Sequence, residues 1–111
     1  MDTLDSYRDA VVRVLTEIAQ IPDPNGEIRH EIICDRQNDH YLLMQVGWEG
    51  GARIHGVLIH VDLIDGKLWI QHDGTEWGIA EDLVAAGVPK DRIVLGFRPP
   101  QARKYTEYAA A

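Results

Sequence analysis

Four side chains, His60, Asp62, His72 and Asp73, are of the types that ligate divalent cations. Their spacing argues against one shared ion. A two-residue turn at Asp65-Gly66 sets His60 opposite Gln71 and His72 opposite Ile59, on the two different faces of a sheet. They are therefore expected to be strand-end polar groups and loop acids, and His40 and His55 make no better case. Neither a metal nor any other cofactor is expected. Nucleophilic chemistry finds no support either. Cys34 has apolar neighbours, where a thiol is inert. Ser6 lies on a surface turn of a helix without an adjacent base, and Glu81 and Asp82 are neighbours that point in different directions around a helix. No GxxxxGK[ST] or GxGxxG phosphate cradle occurs. The turn Asp73-Gly74-Thr75-Glu76 offers backbone N–H groups to an anion, but capping of the following helix by Thr75 is its first use. No catalytic residue is assigned, and the chain is expected not to be an enzyme.

Binding has more to work with. Trp48 is expected in the core. Trp69 falls on the second face of a sheet near Asp62, with Tyr41, Leu43, Leu58 and His60 on neighbouring positions. An aromatic side chain with apolar neighbours inside a polar rim has the anatomy of a protein-interaction patch. Two fates stay open for it: contact with a partner, including a second copy of the chain, or cover by the second helix. Arg92, Arg98, Arg103 and Lys104 give the end of the chain a basic character suited to an anion or nucleic acid.

These side chains need a scaffold, and the hydrophobic spacing supplies one. Leu4, Tyr7, Val11, Val14, Leu15 and Ile18 recur at three and four residues, which predicts a helix over 3–20 with Asp2 as N-cap and Pro22 and Pro24 beyond its end. Asn25-Gly26 predicts a turn. Extended segments follow at 27–35 and 40–49, with a long hairpin arm through Gly56 to His72. Gly50-Gly51 and Asp65-Gly66 are hairpin signals. Taken as two-residue turns, they gather Leu42, Met44, Val46, Val57, Ile59, Val61, Leu63, Leu68 and Ile70 on one face. A second helix is predicted over 76–86, stopped by Gly87 and Pro89, then a short strand over 93–97 and an irregular tail after Pro99-Pro100. The fold class is thus α+β: an N-terminal helix, an antiparallel meander of four to five strands, and a second helix packed on the sheet, all in one domain over 1–111.

The 111 residues hold a single core. Net charge is −7, which opposes duplex DNA binding by the body of the protein. The distribution is uneven: residues 1–89 carry 16 acidic and 6 basic side chains, and residues 90–111 carry 2 and 5. No apolar run approaches the roughly 20 residues of a membrane span. A single cysteine and an acidic N-terminus without a signal core point to the cytoplasm.

The run from Val46-Gly47-Trp48 onward, with GKLWIQHDGTE at 66–76, AGVPKDRIVLGF at 86–97 and PPQARKYTEYA at 99–109, resembles the cyanobacterial fdxN element excision controlling factors of the XisI type. LDSYRDAVVRVLTEIAQ near the N-terminus fits the same pattern. The resemblance implies a small α+β domain and an accessory role in developmentally programmed removal of a DNA element. It also implies a recombinase that performs the strand exchange and a companion of the XisH type, related to restriction-type nucleases. DNA contact by the chain itself would be indirect. The family brings no catalytic residues to carry over.

Overall fold

The computed structural model describes residues 3–24 and 26–111. Helix α1 (Thr3–Ala19) buries Tyr7, Ala10, Val11, Val14, Leu15 and Ile18 along one stripe. The Asp2 cap and the Asn25 half of the predicted turn lie outside the described residues. Beyond that turn, the Asp23 carboxylate accepts the N–H groups of Glu27 and Ile28 and delivers the chain into the sheet.

Strands β1 (Ile28–Asp35), β2 (His40–Glu49), β3 (Ala52–Ile64) and β4 (Lys67–Asp73) form an antiparallel meander. Gly50-Gly51 and Asp65-Gly66 make the two tight turns, and both central residues of each have positive φ, which matches the twist of the strands they join. Helix α2 (Ala80–Ala85) and a 3₁₀ turn (Lys90–Arg92) then carry the chain across, so that β5 (Ile93–Leu95) pairs with β4 in parallel. The strand order is β1-β2-β3-β4-β5. A four-residue helix α3 (Pro100–Arg103) interrupts what the sequence predicts as an irregular tail, and Ala109 donates its N–H back to the Ile93 carbonyl.

Helix α2 begins four residues later than the spacing predicts. Gly78 has φ +80°, outside the helical region, and the Asp73 carboxylate binds the N–H groups of Thr75 and Ile79 as well as the Thr75 hydroxyl. The capping oxygen at this helix start therefore belongs to Asp73, with Thr75 Oγ1 accepting only from Gly78.

Register departs from the two-residue-turn pattern at two bulges. The β2–β3 ladder runs Glu49↔Ala52 to Met44↔Val57, then resumes at Leu43↔Ile59, which leaves Leu58 as an extra residue. The β3–β4 ladder runs Ile64↔Lys67 to Val61↔Ile70, then resumes at His60↔His72, with Gln71 extra. One inserted residue reverses the face of everything beyond it. Ile59, Val61, Leu63, Leu68 and Ile70 keep the predicted core face. Opposite them, Tyr41 and Leu43 enter the core at 0% exposure, while Leu42 and Met44 turn to the second face. Helices α1 and α2 join this one core cluster through Leu15 and Leu83, with Ile79 entering it just ahead of α2. Full burial of each such side chain contributes roughly 1.5–3 kcal/mol.

Candidate functional site

Helices α1 and α2 serve the core face, so the other face of the sheet is where binding groups collect. Residues directly opposite on neighbouring strands share a face. The ladders therefore place Asp35, His40, Asp62, Trp69 and Val94 in one row, and Ile33, Leu42, His60 and His72 in the next row on that face. A third row holds Glu31, Met44 and Val57.

Asp62 is the centre of this face. At 8% exposure it is the buried charged side chain among the described residues. His40 Nδ1 and His60 Nε2 each lie 2.7 Å from its Oδ1, and Gln71 Nε2 donates to its Oδ2 at 3.3 Å. The two imidazoles meet edge to face, with ring centroids 6.3 Å apart. The Asp62 carboxylate raises the pKa of His40 above its ordinary value, chiefly through this hydrogen bond. That part of the interaction is present below about pH 6.5 and is lost as pH rises through the raised value.

The sequence pattern assigned no role to His40, because an unbroken register sets it opposite Val61. The Leu58 bulge moves it opposite Asp62. His72 stands opposite His60 but its ring lies beside Gly74, and Asp73 is occupied by the turn before α2. The set that converges is His40, His60 and Asp62.

The predicted interaction patch does not hold together. Tyr41 and Leu43 belong to the core, since the bulge turns them inward. Tyr41 donates its hydroxyl to Asp39, and burial beside that carboxylate pushes its pKa up to about 12. Leu58 is half-buried at the bulge, against Gly74. His60 and Trp69 remain on the second face, half-buried. The second helix lies on the opposite face, and the Arg103 guanidinium lies 5.1 Å from the centre of the Trp69 ring.

Arg103 is correspondingly committed. Its Nε donates to the carbonyls of Arg98 at 2.9 Å and Leu95 at 3.3 Å, and its terminal nitrogens approach those of Gly96 and Ala110 at 3.5 Å. It ties the C-terminal segment to the sheet. Arg92, Arg98 and Lys104 are exposed, with Arg98 over Phe97 and Lys104 over Tyr105.

What the pattern missed is the open apolar surface at the β1–β3 end of the second face. Trp48 is 52% exposed, not in the core, and Arg53 stacks on it at 5.2 Å. Ile33 and Val57 are also exposed, with Leu42 and Met44 half-buried beside them. Their alternation was visible in the sequence; which side of the bulge they fell on was not. A shallow groove of about 230 Å³ lies elsewhere, between α1 and Trp77. Its Asp82 already accepts from Trp77 Nε1, and no nucleophile lines it.

Comparison with known proteins adds to this geometry. The family model described as XisI protein matches residues 1–110. The crystal structure of a XisI-like protein from Anabaena variabilis ATCC 29413 is 40% identical, covers 98% of this chain and 100% of its own, and superposes with a TM-score of 0.86. That of the fdxN element excision controlling factor XisI from the same organism is 31% identical, covers 99% and 100%, and has a TM-score of 0.83. A comparison with curated proteins gives no match.

Proposed function

This chain belongs to the XisI family, and from that premise we propose that it is a non-catalytic accessory protein that controls excision of a DNA element by binding a nuclease-related companion of the XisH type. The observation that carries this reading is the open apolar face of β1–β3 around Ile33, Val57 and Trp48, on a protein of net charge −7. An apolar centre supplies contact area. The net negative charge of the chain speeds association with a basic, DNA-binding protein and opposes association with DNA itself. A cytoplasmic location is part of the proposal. Among the described residues no helix is long and apolar enough to cross a membrane.

Co-expression with the companion, followed by size-exclusion chromatography at low and high salt, tests it. A complex is expected at low salt and should weaken as salt rises. Replacing the exposed Ile33 and Val57 together by Asp should weaken it at least tenfold while circular dichroism stays unchanged. Absence of a complex at low salt would remove the proposal. A mobility shift of DNA by the isolated chain, lost when Arg92, Arg98 and Lys104 are neutralised, would favour direct nucleic-acid binding instead.

A further inference from the structure

We propose that His40, His60 and Asp62 form a binding site for a zinc-class divalent cation on the open face of the sheet. The inference stands independently of the companion-binding proposal. Three observations carry it.

The first is convergence. The three ligand atoms, one from each side chain, all lie within 4.8 Å of one another. The two nitrogens address the same oxygen, Asp62 Oδ1, at 2.7 Å each, although the carboxylate offers two oxygens. Ligands at roughly 2.1 Å from one ion stand about 3.0 Å apart at right angles and about 3.4 Å apart in a tetrahedron. Seating an ion therefore takes an opening of a few tenths of an ångström at each N···O pair and a rotation of the two imidazoles that draws their nitrogens, now up to 4.8 Å from one another, together by about an ångström. His40 and His60 are half-exposed and free to make that adjustment, whereas Asp62 is held in place.

The second is support behind the ligands. Gln71 donates to Asp62 Oδ2 and leaves Oδ1 to face the histidines. Such an outer contact sets the direction of a ligating carboxylate. Both bulges of the sheet flank His60, one at Leu58 and one at Gln71, and they bring His40, His60 and Gln71 onto Asp62. Bulges of this kind re-aim side chains at functional sites.

The third is donor chemistry and access. Two imidazoles and one carboxylate suit zinc, cobalt, nickel or iron(II), and three protein ligands leave positions open for water or a partner's side chain. Cys34 pairs with Tyr41 on the core-face row, so no thiolate competes to turn the preference toward copper(I).

Chelator-treated protein titrated with Co²⁺, read by its visible absorption bands, and with Zn²⁺, read by calorimetry, tests the site. One ion per chain is expected at neutral pH. His40→Gln and His60→Gln should each weaken binding at least tenfold. His72→Gln, a histidine on the same face, should leave it unchanged. Because His40 is exposed, its variant retains the fold, and circular dichroism verifies that. No Co²⁺ bands with the wild-type protein at millimolar metal, or titrations that His40→Gln and His60→Gln leave unaltered, would overturn the proposal and identify the cluster as hydrogen bonding alone.

Discussion

Arg103→Lys separates a structural arginine from a DNA-contacting one, because it preserves charge and removes the planar fork. In the wild type, Nε donates to the Arg98 carbonyl at 2.9 Å and the Leu95 carbonyl at 3.3 Å, and the guanidinium stacks over Trp69 at 5.1 Å. A charged donor to a carbonyl is worth about 1.5 kcal/mol or more, and the single Nε hydrogen, shared between the two carbonyls on a partly exposed side chain, contributes about 1–1.5 kcal/mol. The ring contact adds about 0.5–1 kcal/mol. The two contacts at 3.5 Å contribute little. The total is about 2 kcal/mol, and an ammonium recovers less than half of it, since it forms one or two of the bonds and stacks poorly. In a domain of this size 1 kcal/mol moves the melting temperature by roughly 4–8 °C. Scanning calorimetry should therefore show Arg103→Lys about 4–12 °C below the wild type and Arg103→Ala about 8–16 °C below. Hydrogen exchange should quicken at Ala109, whose N–H depends on the segment that Arg103 holds. A melting temperature unchanged in both variants would refute the reasoning and return Arg103 to the pool of free surface cations.

Three further outcomes follow from the fold. Ile59→Ala, at a site with 0% exposure between the helices and the sheet, should cost about 3 kcal/mol in urea unfolding, as a cavity in a packed core does. Gly47→Ala should cost about 2 kcal/mol or more, because its Cβ would fall 2.0 Å from the Glu27 carbonyl oxygen and 2.7 Å from Ile28 Cα, both backbone atoms that cannot step aside; loss of protection confined to the Ile28 end of β1 is the exchange signature. Asp39→Asn should cost about 1–2 kcal/mol at pH 7 by breaking the bidentate pair with Arg8, at 2.8 and 3.1 Å, that staples α1 to the start of β2. The Arg8 guanidinium holds the Asp39 carboxyl below its usual range, so this contribution is present above about pH 4 and is lost as pH falls through the depressed value. Unfolding curves at pH 7 and pH 2 should show the gap between variant and wild type close in acid.

Local pattern carried far into this fold. The three- and four-residue spacing in α1, the alternation along β2 to β4, and two turns with positive φ at both positions are properties of short segments, and each appears in the structure within a residue or two. Motifs distributed along nearly the whole chain indicated the family for the same reason: they are linear. Failures gathered where a residue's side depended on something distant. An unbroken alternation sets Tyr41 and Leu43 on the second face and Trp48 in the core, whereas the structure buries the first two and exposes the third on a strand with the expected bounds.

Composition and periodicity thus determined helix α1, the strands of the meander, the acidic body and the basic end. Tertiary structure alone decided the binding face. One extra residue at Leu58 and one at Gln71 change which side chains share a side of the sheet, and a bulge leaves almost no trace in an alternating sequence, because its energy is settled by packing across strands. His40, 22 residues from Asp62, meets it only because of that one-residue shift. Arg103 meets Trp69 only because the tail folds back over the sheet.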